Sequence, residues 1–121
     1  MNNPLEDTVL NAYFKDLAQS NPLSREREAE LATRVKAGDL EARDELVQAN
    51  LPFAVNVART YQNRGLSLAE LISSGNVGLL IAADRFDGSK GYKFITYAVW
   101  WIRQSILLAL TEQARTVRLP S

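Results

Sequence analysis

Lys90-Gly91-Tyr92-Lys93-Phe94-Ile95-Thr96-Tyr97-Ala98-Val99-Trp100-Trp101-Ile102-Arg103-Gln104, in one-letter code KGYKFITYAVWWIRQ, holds both tryptophans of the chain. It also carries half of the tyrosines and three basic residues. On a helical wheel of 3.6 residues per turn, the helix that begins near Tyr92 to Ile95 and runs to about Ala114 has two distinct faces. Ile95, Ala98, Val99, Ile102, Ile106, Ala109 and Leu110 fall on one side and form a complete core-facing stripe. Tyr97, Trp100, Trp101, Gln104, Leu107 and Leu108 fall opposite. One helix of a small bundle needs one buried stripe, so the second face is either covered by other helices or exposed for a partner. Burial on both faces, as in a central helix, accounts for the pattern. So does a platform for unstacked bases, because flat rings with Lys90, Lys93 and Arg103 beside them can stack bases and hold phosphates.

Outward from this stretch the chain reads as helices throughout. Residues 7–18 place Val9, Leu10, Tyr13, Phe14 and Leu17 at helical spacing, with Asp7 as a cap. Ser24 caps a second helix that Gly38 stops, and Asp39 caps a third. Pro52 is expected to break or kink that third helix at Asn50-Leu51-Pro52, with a further helix to about Tyr61. After the turn Asn63-Arg64-Gly65, Ser67 caps a helix whose Leu68, Leu71, Ile72, Gly75, Leu79 and Ala82 share one face. Asp87-Gly88-Ser89-Lys90-Gly91 is the second clear loop. No stretch alternates with period two for long enough to make a strand. The expectation is an all-α fold, a compact helical bundle of about five to six helices.

The 121 residues suffice for one domain with one real core. Cysteine and histidine are absent, which removes disulfides, thiolate nucleophiles, the usual zinc sites and the commonest general base. That composition suits a reducing cytoplasm. No apolar run reads as membrane-spanning, and the N-terminus is acidic and polar, so neither a signal peptide nor a membrane anchor is expected. The formal net charge of zero hides an asymmetry. Residues 1–49 carry six Lys/Arg against ten Asp/Glu, whereas residues 86–121 carry five against two. The basic excess falls where the aromatic residues are.

KGYKFITYAVWWIRQSI resembles the promoter-melting segment of bacterial sigma factors of the sigma-70 family, in particular the primary (housekeeping) class. The resemblance extends back through NLPFAVNVARTYQNRGLSLAELISSGNVGLLIAADRFD and forward through EQARTVRLP, with the first thirty residues matching more loosely. It implies one helical domain over 1–121. Residues 1–38 are then the N-terminal helical segment, and 39–121 the promoter-melting and core-polymerase-binding helices. The promoter −35-binding domain would follow and is absent from this chain, which reads as a truncated piece.

The implied function is transcription initiation without catalysis: docking on core RNA polymerase and capture of the promoter −10 element as a single, non-template strand. By motif position, Phe86, Lys90, Tyr92, Thr96, Tyr97 and Gln104 would form a pocket for a flipped adenine, with Asp87 at its edge. Trp100 and Trp101 would wedge the fork between duplex and single strand. Lys93, Arg103, Arg115 and Arg118 would hold phosphates. Asn50, Phe53 and Glu28 match a downstream pocket for a flipped thymine, and Tyr13 and Phe14 match residues near the strand beyond the −10 element. Glu70, Ser73, Ser74, Asn76 and Leu80, with Val77, would face a coiled coil of the largest polymerase subunit. No cofactor, metal or membrane is implied, and the free fragment is expected to be a monomer.

Two departures from the family pattern stand out. Ser73-Ser74 replace a larger amide and an acid. Leu107 and Leu108 stand where many members carry a threonine and an arginine that read the upstream base pair with Gln104, and leucine offers no donor to a base edge. An enzyme is disfavoured on other grounds. Gly88-Ser89-Lys90-Gly91 lacks the spacing of a phosphate loop, and Asp84 and Asp87 have no accompanying base or nucleophile. The competing reading is a helical protein-interaction module whose aromatic face receives a partner helix.

Overall fold

A computed structural model describes residues 23–118, with side chains through Gln113. The helix expected over 7–18, with Tyr13 and Phe14, and the side chains of Arg115 and Arg118 lie outside the described residues. Within them the fold is all-α: α1 (Arg25–Lys36), α2 (Leu40–Arg59), α3 (Leu68–Arg85) and α4 (Phe94–Arg118), with a 3-10 turn at Gly88–Lys90. Local chemistry sets the starts of the first three. Ser24 Oγ accepts the Arg27 N–H at 3.0 Å, and Asp39 Oδ1 accepts the Ala42 N–H at 3.1 Å. Ser67 and Glu70 form a reciprocal capping box at the head of α3.

Among the described residues there are four α-helices where the sequence reading places five, and the difference lies in α2. Pro52 lies inside this helix and does not end it. Pro52 and Gln48, whose carbonyl loses its intrahelical donor, are both exposed, so water can take the orphaned bond. Phe53, Ala54 and Val57 are meanwhile buried with Leu46 and Val47 from the preceding turns. Both halves of α2 are therefore held to the same core, and that burial outweighs the local penalty of the proline.

The core runs through all four helices and includes Leu31, Leu46, Val57, Leu71, Leu79 and Ile102, each fully buried. The closest packing is between α3 and α4, which run antiparallel. Gly65 faces Gln113, Gly75 faces Ile106, and Gly78 faces Trp101. The expected core stripe of α4 is buried at Ile95, Ala98, Ile102 and Ile106, joined by Phe94, while Val99, Ala109 and Leu110 are half-buried. By length and composition, the stretch Phe94–Gln113 is apolar enough to cross a membrane, contrary to the reading of the sequence. Its apolar content serves two faces at once, the buried stripe and the aromatic face, which is how a central helix reaches such a composition.

Gly78 and Gly75 predict opposite outcomes. A Cβ on Gly78 would sit 2.4 Å from the Trp101 carbonyl oxygen, a backbone atom that cannot swing away. Gly78→Ala should therefore destabilise the fold by about 1–3 kcal/mol, as overpacking does. A Cβ on Gly75 would meet its nearest atoms at 3.5 Å, an ordinary contact. Gly75→Ala should be neutral or stabilising by up to ~1 kcal/mol, the helix preference of alanine over glycine. Urea unfolding of the two variants checks both.

Candidate nucleic-acid interface

The loop between α3 and α4 and the first two turns of α4 build an open depression of about 420 Å³, lined by Tyr92, Thr96, Tyr97, Trp100 and Trp101. Tyr92 and Trp100 are 41% and 56% exposed, so the second face of α4 is not filled by the bundle. Phe86 is buried and acts from beneath. Its ring centroid lies 6.2 Å from Tyr92, 5.9 Å from Tyr97 and 5.2 Å from Phe94. The aromatic floor is thus a continuous cluster, joined to Trp101 through Tyr97 at 6.5 Å. Trp100 stands edge-on to Trp101 at 4.9 Å. Lys90 and Gln104 are exposed at the two ends of this surface.

Arg85 is a member that sequence reasoning missed: its guanidinium lies 4.9 Å over the Trp101 ring. The signal was weak, because Arg85 closes one helix and Trp101 belongs to the next. Asp87 sits in the turn below. Its carboxylate accepts the Ser89 hydroxyl at 2.6 Å and the Ser89 N–H at 2.9 Å, and these bonds hold it below the usual aspartate range.

The other expected residues are placed differently. Asn50, Phe53 and Glu28 are all buried, so these three do not line an open pocket. Asn50 Nδ2 donates to the Leu46 carbonyl at 2.8 Å. Phe53 belongs to the hydrophobic core. Lys93, expected to hold a phosphate, turns inward: its ammonium donates to the Leu23 carbonyl and lies 3.7 Å from Glu28 Oε2. The cause is the packing of α1 against the turn before α4, where Gly88 meets Ala29, which brings Lys93 to a buried carboxylate. Arg103 is half-buried, and its Nε donates to the Tyr61 hydroxyl at 3.3 Å.

On α3, Glu70 and Ser73 are exposed, as are Val77 (52%) and Leu80 (37%), while Ser74 and Asn76 are half-buried. Glu70 has a second task in the capping box, where its Oε1 accepts the Ser67 hydroxyl at 2.9 Å. The Ser-x-x-Glu spacing of Ser67 and Glu70 carried that signal in the sequence. Asn76 Oδ1 is buried and has no hydrogen-bond partner among the described residues.

The family model described as Sigma-70 region 2 matches residues 46–116, and the one described as Sigma-70 factor, region 1.2, matches residues 9–41. The first covers more than half of the chain, and the chain belongs to the sigma-70 family. It is 46% identical over 114 residues to "RNA polymerase sigma factor SigA" of Clostridium acetobutylicum, a match spanning 94% of this chain and 30% of that protein. The same name is carried by proteins of Listeria monocytogenes and Listeria innocua, each 46% identical over 108 residues, 89% of this chain and 29% of theirs. The chain thus spans about three tenths of the length of these relatives.

Glu28 yields a pH prediction. Burial pushes its carboxyl above 4.5, its ordinary value, and the Phe94 N–H and then the Lys93 ammonium pull it partly back. The folded state therefore favours the proton. The stabilisation is complete below 4.5 and is lost as pH rises through the raised value. Glu28→Gln has no proton to exchange. The stability of the wild type relative to this variant should fall as pH rises above 4.5, measured by urea unfolding across a pH series. A difference independent of pH would contradict the burial of this carboxyl.

Proposed function

We propose that this chain is the part of a transcription initiation factor that docks on core RNA polymerase and captures the non-template strand of a promoter −10 element. The observation that carries the reading is the open aromatic depression on α4, which leaves stacking faces in water with cations beside them. A flipped base entering between Tyr92, Tyr97 and Trp100 would regain there the stacking it loses on leaving the duplex. Gln104, exposed one turn beyond Trp100, is then at the upstream side, where the two tryptophans meet the fork. Binding rather than catalysis is the work of this surface. Residues 39–121 supply both the base-capturing helix and the docking helix α3, with residues 1–38 as the segment before them, and the setting is the bacterial cytoplasm. The names of the relatives support a polymerase partner.

Strand binding tests this directly. Tyr97→Ala should weaken binding of a −10-like single strand by roughly 1–3 kcal/mol, one to two decades, while Tyr97→Phe falls between the two. Lys90→Ala should weaken matched and scrambled strands alike and shallow the salt dependence by about one phosphate's share. Tyr97→Ala binding both strands as well as wild type, with unchanged helix content, would remove the base-capture reading.

Docking is better tested at Val77 than at Glu70, because Glu70→Lys would also dismantle a helix cap. Val77→Glu places a charge on an exposed apolar site of α3. It should reduce retention by core polymerase in a pull-down while leaving the unfolding midpoint in urea unchanged.

A further inference from the structure

The first turns of α1 hold the segment leading into α4 at several points. Arg25 Nη1 donates to the Gly91 carbonyl at 2.6 Å. Lys93 is bound to the Leu23 carbonyl and paired with Glu28. Glu28 Oε1 accepts the Phe94 N–H at 2.9 Å. Packing closes the same contact, since a Cβ on Gly88 would lie 2.5 Å from the Ala29 Cα.

Phe94 is the first residue of α4, and its N–H is one of the donors that a helix leaves without an internal partner. A carboxylate at that end also complements the helix dipole. Such caps ordinarily come from the preceding residue. Here the cap comes from 66 positions away in the chain, on a side chain that is 1% exposed. A buried carboxylate is costly to keep, and an apolar residue of similar size would pack there more cheaply unless the geometry it imposes is used. Tyr92 lies two residues before the capped N–H, and Thr96 and Tyr97 two and three residues after it.

We propose that Glu28 is a positioning residue for the aromatic depression. Its carboxylate fixes the first turn of α4, and through it the mutual placement of Tyr92, Thr96 and Tyr97. For its ligand, single-stranded DNA, this rests on the function proposed above, while the coupling of α1 to the depression does not. It also gives Glu28 a task other than direct contact with a downstream base, for which the carboxylate would have to leave the interior.

The experiment compares wild type, Glu28→Ala and Glu28→Gln in the 121-residue chain by two readouts. The first is amide exchange at Phe94–Tyr97. The second is binding of two strands, one just long enough to fill the depression and one extended downstream. In Glu28→Ala the exchange should speed up by about ten- to a hundredfold, the cost of leaving a buried donor without its acceptor, with overall helix content retained. Affinity for the short strand should drop by about tenfold. Glu28→Gln keeps an acceptor for the Phe94 N–H and should stay within about threefold of wild type in both readouts. Native exchange rates in Glu28→Ala would overturn the proposal, and so would an affinity loss confined to the extended strand, which would mark Glu28 as a base contact. Accelerated exchange in a chain whose wild type binds neither strand would support the coupling and count against the proposed ligand.

Discussion

Much of this structure follows from how closely α3 and α4 approach at Gly78, where no side chain could stand between the helix and the Trp101 carbonyl. Two helix backbones this near leave α4 no freedom to roll about its axis. With the roll set, Ile95, Ala98, Ile102 and Ile106 point inward and Trp100 and Gln104 point outward. The aromatic face is exposed because the backbone contact on the other side is complete. Stability and presentation of the surface are thus one constraint seen from two sides.

The periodicity of α4 was legible because both of its faces are long and each has consistent chemistry. The caps at Ser24, Asp39 and Ser67 were legible because each is local, settled within four residues. Pro52 misled for the same reason: a local rule was applied where the burial of Phe53, Ala54 and Val57 decides. The depression itself was largely readable, since Tyr92, Thr96, Tyr97, Trp100 and Trp101 are nearly contiguous in sequence. Phe86 lies against Tyr92 and Tyr97, and its position beneath them depends on the turn at Gly88–Lys90.

What sequence could not supply were the long-range polar choices. Lys93 follows a polar loop and reads as a surface cation, yet it is folded under against Glu28 and Leu23. Neither partner is within sixty residues, and no spacing rule reaches that far. Asn50 and Phe53 show the converse. Their places on α2 were easy to assign, whereas their burial depends on the rest of the bundle closing over them. A family resemblance transfers the identity of such residues more readily than the conformation in which they are found.

The stack of Arg85 on Trp101 has a consequence for how the molecule behaves in water. Adjacent tryptophans on an open face invite association with any apolar surface, another copy of the chain included. A guanidinium laid over one ring covers that face with a group that stays hydrated at its edge. It is also a cover that can be displaced, because the contact is a stack rather than a locked fork of hydrogen bonds. Arg85 thus screens only the half-buried Trp101, and Trp100 beside it, 56% exposed, remains the part of this face that is open to association.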